Sequence, residues 1–238
     1  MHRFFSDVPI ESDTVELTGS EHQHLTKVLR MNVGEVVMLF DGTGHEFTAT
    51  IEAVGRNATT LAITDRELVD RELPFDLTLG VALPKGDRQQ WLVEKLVELG
   101  VTRLTPLVTR RGVAQPGDKA MQRLHRWIVA ASKQSRRNRL LEVTAPQTIE
   151  QFFSASDTML TRLIAHPGSA SDMPTVVSSL PNDSNIVIAI GPEGGFADEE
   201  VVEAVEANAT SVDLGKRILR IETAAIAAAA CVVFREQK

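Results

Sequence analysis

The sequence predicts an α/β fold with a largely parallel sheet, preceded by a small β-barrel, and three observations carry that reading. The texture changes near residue 75, from short β-like runs to strand-like runs alternating with longer helical patterns. Ile186–Ile190 reads IVIAI, an unbroken apolar run of the kind found in strands buried on both faces. Residues 224–230 are almost all alanine, and a helix apolar on every side has to be enclosed by other elements.

A chain of 238 residues, 43% hydrophobic, can bury a sizeable core as one large or two smaller domains. The change of texture favours two, at 1–72 and 76–238. No apolar run approaches the roughly 18 residues that span a bilayer, and the N-terminus lacks a signal peptide's apolar stretch. A cytoplasmic protein without membrane attachment is expected. Cys231 is the only cysteine, which excludes an internal disulfide and any multi-cysteine metal site, and its alanine-rich surroundings make it a core residue.

Within the first unit, strands are expected at Val36–Phe40, 47–51 and 59–64, separated by the turn signals Asp41-Gly42-Thr43-Gly44 and Gly55-Arg56-Asn57. A helix at 20–31 would open with a capping box of Ser20 and Gln23 and close before Gly34. The polar stretch 65–72, followed by Pro74, reads as a linker. Beyond it, strands are expected at 77–83, 104–108, 159–165 and Ile186–Ile190, and helices at 87–99, 118–139, 198–207 and 222–234.

The net charge of −7 conceals an uneven distribution. Residues 1–75 hold 6 of the 25 Lys and Arg but 13 of the 32 Asp and Glu, so the remainder is balanced. Within that remainder Lys119, Arg123, Arg126, Lys133, Arg136, Arg137 and Arg139 follow one another with no acid between them. On the helix expected there, Met121, Leu124, Ile128 and Ala131 form an apolar stripe, and Lys119, Arg123, Arg126, Lys133 and Arg137 form a second stripe nearly opposite. A merely solvated face would carry glutamates for pairing; their absence points to phosphate contacts, which give affinity and register.

Gly191-Pro192-Glu193-Gly194-Gly195-Phe196 follows the buried strand directly and precedes a helix, which is where open α/β sheets hold ligands. The turn has neither the lysine of a Walker loop nor the spacing of a dinucleotide fingerprint, so ATP and NAD are disfavoured. A second loop carries Lys216, Arg217 and Arg220 into the alanine-rich helix, with Thr223 as a candidate N-cap beside Glu222.

Lys85-Gly86-Asp87-Arg88, EKLVELG at 94–100, residues 132–136, GPEGGF at 191–196 and LGKRILRIETA at 214–224 together resemble the RsmE family of 16S ribosomal RNA uracil-N3 methyltransferases. His2-Arg3-Phe4-Phe5 and HLTKVLR at 24–30 extend the resemblance over nearly the whole chain, to the family's PUA-like RNA-binding barrel. The chain departs from the family pattern at Lys216, where a proline is usual, at Ile221, where a threonine is usual, and around Gln134 and Ser135.

The resemblance implies a SPOUT-type, trefoil-knotted methyltransferase domain acting as a homodimer on 16S rRNA, within the 30S subunit, with S-adenosylmethionine as methyl donor and no metal. Three loops would hold the donor: His166, Pro167 and Gly168; Ile190, Gly191, Pro192, Glu193, Gly194 and Gly195; and Leu214, Gly215, Ile218, Leu219, Arg220, Thr223 and Ala224. Arg3, Lys27, Arg30 and Arg88 join Lys119, Arg123, Arg126, Lys133, Arg136 and Arg137 as expected RNA contacts. Among charged groups on the donor loops, Arg220 or Arg217 would steady the developing uracil anion and Glu193 or Glu222 would assist proton loss. Ribose 2′-O-methylation by the same fold, a non-catalytic RNA-binding or assembly role and a small-molecule methyltransferase are the competing readings.

Overall fold

The computed structural model describes residues 1–112, 117–154 and 160–235, leaving aside the Asp118 side chain. The chain forms two compact units, 1–72 with 132–140 and 73–131 with 141–238. The second stretch of the N-terminal unit, 132–140, falls in the part of the sequence expected to belong to the other domain.

The N-terminal unit is a five-stranded sheet curled into a half-barrel, in the order β1-β3-β4-β5-β2, with β1 and β2 as its edges. Its strands are β1 (Arg3–Phe5), β2 (Thr14–Thr18), β3 (Val36–Phe40), β4 (His45–Val54) and β5 (Ala58–Leu68). Phe4, Leu25, Val37, Leu39, Phe47, Ile51 and Leu61 fill its core. Alternation inside each strand puts the strand residues among them on one face, and Leu25 reaches the same core from the helical segment after β2.

Two expectations change here. The stretch 65–72 is not all linker: Asp65 to Leu68 continue β5 by pairing with Thr48 back to His45 on β4. Asp65, Arg66 and Glu67 are polar because they are exposed, not because they leave the sheet. The helix α1 (Gly19–Gln23) starts before Ser20, with Thr18 as N-cap, and passes into a wider π-turn over His24–Val28. Gly19, at φ +55°, makes the bend from β2 that moves the helix start.

The larger unit is a seven-stranded, wholly parallel sheet in the order β10-β12-β9-β11-β6-β7-β8. In chain order its elements are β6 (Leu77–Val81), α2 (Asp87–Glu98), β7 (Arg103–Pro106), α3 (Asp118–Ser135), β8 (Glu142–Val143) and α4 (Ile149–Phe153). They continue with β9 (Thr161–Ala165), β10 (Ser171–Asp172), α5 (Met173–Ser178), β11 (Ile186–Ile190), α6 (Asp198–Glu206), β12 (Thr210–Asp213) and α7 (Ile221–Val233). Every residue of β6 and β11 is buried, as strands covered on both faces require. Val187 and Ala189 meet Phe152, Phe196 and Ala204 of the cluster containing α4 and α6. The period of two turns Ile186, Ile188 and Ile190 the other way. Helix α7 packs on α2, α5, β6 and β11. Gly80 sits inside β6 because a Cβ there would lie 2.7 Å from the Phe152 ring.

The basic helix is shorter than expected. It ends at Ser135, where Arg136 takes the left-handed conformation (φ 62°) and the Arg137 N–H closes back on the Ser132 carbonyl at 3.1 Å. An arginine where glycine usually sits gave no stop signal. Leu124, Ile128 and Ala131 are buried on the expected face. Thr223 is not the N-cap of α7, because the helix opens one turn earlier, from Arg220. Met159, expected to open β9, lies outside the described residues, and no helix among those described is long and apolar enough to cross a membrane.

Candidate active site

Strands β12, β9 and β11 are neighbours in the sheet and run parallel, so the loops leaving their carboxyl ends emerge side by side. They enclose a cavity of about 380 Å³, within the range of small-molecule sites. From the β9 loop it is lined by Ala165, His166 and Pro167, and from the β11 loop by Ile190, Gly191, Pro192, Glu193, Gly194, Gly195 and Phe196. Asp213, Leu214, Gly215, Arg217, Ile218 and Leu219 line it from the third loop, Ile221 and Ala224 from α7, and Asp198 and Arg111 complete the wall. Of the residues expected on the donor loops, Gly168, Arg220 and Thr223 lie off this wall.

Three acidic or basic side chains that the sequence did not single out hold these loops. Asp213 accepts the Gly168 N–H at 2.8 Å and the Gly215 N–H at 2.6 Å, tying the first loop to the third. Arg111 donates to the carbonyls of Gly194 and Phe196 at 3.0 and 3.2 Å. Glu200, nearly fully buried, accepts the Ala197 N–H at 2.7 Å and the Arg110 N–H at 2.9 Å. The carboxyl-terminal half of the glycine-rich turn is thus tied to the segment after β7. Within it, the Gly195 N–H closes on the Pro192 carbonyl at 2.8 Å, with Gly195 at φ +69°, and a Cβ on Gly191 would lie 3.1 Å from the Phe196 ring. None of the three carries a motif signature, since each reaches at least one backbone group forty or more residues away.

The two expected carboxylates are joined through Arg88, whose Nη1 lies 3.0 Å from Glu193 and 3.8 Å from Glu222. Glu222 is buried, and its Oε2 has no hydrogen-bond partner. His166, on the cavity wall, likewise has a buried Nδ1 without a partner. Buried polar atoms left unmet are rare and mark places where a ligand can complete the bonding.

The expected RNA contacts fall into two groups. Lys27, Arg30, Lys119, Arg123, Arg126 and Arg136 are exposed. The others are engaged within the protein: Arg3 with Glu46 at 2.6 Å and with Asn138, Lys133 with Glu21 at 2.9 Å, Arg137 with Glu72 at 2.6 Å, and Arg88 as above. Arg137 is 4% exposed, which removes it from the basic stripe. The acids missing from the 119–139 stretch are supplied by Glu21 and Glu72, more than sixty residues away.

Residues 71–233 match the RNA methyltransferase domain family and residues 17–64 the RNA methyltransferase PUA domain family. The ribosomal RNA small subunit methyltransferase E of Bacillus subtilis is 30% identical over all of this chain and 98% of its own length. The chain belongs to that methyltransferase family. Two solved relatives carry its fold throughout. The Neisseria gonorrhoeae enzyme of the same name, bound to S-adenosylmethionine, superposes with a TM-score of 0.84 at 33% identity, over 97% of this chain and 95% of that one. A Legionella pneumophila methyltransferase with bound S-adenosylmethionine gives 0.86 at 34%, over 97% and 96%. The family fold is the SPOUT-type knotted α/β domain behind a PUA-like sheet, and both parts are present here.

Proposed function

We propose that this protein transfers the methyl group of S-adenosylmethionine to N3 of one uridine in 16S rRNA of the small ribosomal subunit. The observation that carries the reading is the cavity formed by the ends of three adjacent strands and braced by Asp213, Arg111 and Glu200. It fits the donor on its own chemistry: an adequate volume, backbone N–H and C=O groups on three loops, and a buried His166 Nδ1 awaiting a partner. Bound S-adenosylmethionine supplies an activated methyl on a sulfonium centre.

The protein's part is to hold the uracil in line, accept the N3 proton and offset the charge left on the ring. Glu193 and Glu222 are the carboxylates for the proton. Arg217, on the cavity wall, is better placed than Arg220 to offset the charge. Lys27, Arg30, Lys119, Arg123, Arg126 and Arg136 are the exposed cations for the rRNA backbone. Homodimer formation is supported by α7, where Thr223 and Ala227 are exposed at helical spacing and Phe234, just beyond the helix, is 75% exposed. The domain division at 72/76 and a cytoplasmic setting belong to the same proposal.

Incubating the protein with isotope-labelled S-adenosylmethionine and 30S subunits lacking the modification tests this reading. Label is expected in 16S rRNA; its absence there would reject the function.

A further inference from the structure

A second, smaller cavity of about 100 Å³ adjoins the donor cavity, and the two share Pro192, Glu193 and Ile221 as a common wall. Its far side comes from Pro84 and Lys85 in the loop after β6 and from Arg88 in the first turn of α2. Strands β6 and β11 are hydrogen-bonded parallel neighbours, so this loop and the glycine-rich turn leave the same sheet edge side by side. We propose that this cavity is the acceptor subsite, which holds the uracil ring during transfer, with Arg88 and Lys85 as the groups that stabilise its anion. The proposal rests on the uracil-N3 reading given above.

The chemistry of the acceptor calls for such a set. N3 of uracil lies between two carbonyls, and when its proton leaves, the negative charge is shared by both oxygens. Cations flanking the ring therefore act most strongly as charge develops. Lys85 is exposed, and among the described residues no ion pair holds it. Arg88 meets Glu193 and Glu222 through the same nitrogen, Nη1, which leaves donors on Nη2 and Nε for a ligand. Glu193, on the wall common to both cavities and 3.0 Å from Arg88 Nη1, gives a proton acceptor beside the ring.

In the step this implies, the N3–H bond breaks, its proton passes to Glu193 and its electron pair remains on the ring. N3 then forms a bond to the methyl carbon as the carbon–sulfur bond breaks, with that pair kept by sulfur. The proton afterwards leaves Glu193, whose side chain is half exposed, to solvent.

The test uses single-turnover formation of 3-methyluridine on unmodified 30S subunits, with donor affinity measured separately by calorimetry. Arg88→Ala is expected to slow the reaction by about 100-fold or more, the usual effect of removing one preorganised charge-stabilising donor, while donor affinity stays within about threefold. Arg88→Lys should recover part of the rate, because it keeps the charge. Lys85→Ala, at an exposed position where folding is not at risk, should slow the reaction about tenfold. Unaltered rates in both alanine variants, or a loss of rate explained wholly by weaker donor binding, would overturn the subsite. A ribose-methylated product from the unmodified protein would instead overturn the uracil reading on which it rests.

Discussion

Asp213 joins Gly168 to Gly215: one carboxylate oxygen accepts the first N–H at 2.8 Å and the other accepts the second at 2.6 Å. Two donor loops that are distant in sequence thus share one anionic anchor. Asp213→Asn keeps one acceptor oxygen and so releases one of the two N–H groups. A hydrogen bond to a charged group contributes about 1.5–3 kcal/mol, and loop order lost in the free protein has to be restored on binding. Donor affinity, measured by calorimetry, is expected to fall at least about tenfold, with thermal stability nearly unchanged because both loops are at the surface.

Arg111 and Glu200 make the corresponding anchor for the glycine-rich turn. Arg111→Ala removes the nitrogen that donates to the carbonyls of both Gly194 and Phe196 and should weaken donor binding without altering affinity for the 30S subunit. Both carbonyls accept from the single nitrogen Nη1, so Arg111→Lys, whose ammonium carries three donors on one nitrogen, should recover part of the loss. Glu200→Ala is the harsher change, because it strands two backbone N–H groups in a buried position. It should lower unfolding free energy by about 1–3 kcal/mol in denaturant titrations.

Arg136 and Arg137 are adjacent yet separable. Arg136 is exposed and holds a left-handed φ of 62°, a conformation glycine adopts without strain. Arg136→Gly should therefore raise the melting temperature while lowering rRNA affinity and flattening its salt dependence by about one phosphate contact. Arg137→Ala should do the opposite. It leaves Glu72 without its partner in a site where Arg137 is 4% exposed, at a cost of about 3 kcal/mol, and the salt dependence of binding should not change.

Acid should destabilise the N-terminal unit in two stages. Burial, then the nearby charge of Lys133, pushes His24 below its ordinary value of 6.5, against the pull of Glu21. The unfolded chain therefore takes up a proton first as pH drops through 6.5, and stability falls until the folded histidine also titrates. Burial opposes ionisation of Glu46, but hydrogen bonds from Arg71 and Arg3 outweigh it and hold the carboxyl below its ordinary 4.5. Its contribution is complete above 4.5 and is lost as pH falls through the lowered value. Melting temperatures measured across pH should show both stages, with His24→Gln removing the first and Glu46→Gln the second.

The sequence carried most of the fold because burial patterns are local. IVIAI at Ile186–Ile190 could only be an enclosed strand, and the apolar stripe of Leu124, Ile128 and Ala131 named the packed face of α3. Short elements such as β8 and β10 escaped notice, since two residues held by pairing alone leave no periodicity. At the site, glycine-rich loops were legible because glycine is where backbone must turn or approach a ligand. Asp213, Arg111 and Glu200 were not, because their partners are backbone groups up to ninety residues away. The same distance hid Glu21 and Glu72, whose pairing takes Lys133 and Arg137 out of the basic stripe.

The central claim is the identity of the methylated atom, and nucleoside analysis tests it most directly. After reaction with labelled donor and unmodified 30S subunits, the 16S rRNA would be digested to nucleosides and the labelled product identified by mass spectrometry. 3-Methyluridine from a single site is the predicted result. A 2′-O-methyl nucleoside, or label on any base other than uracil, would contradict it.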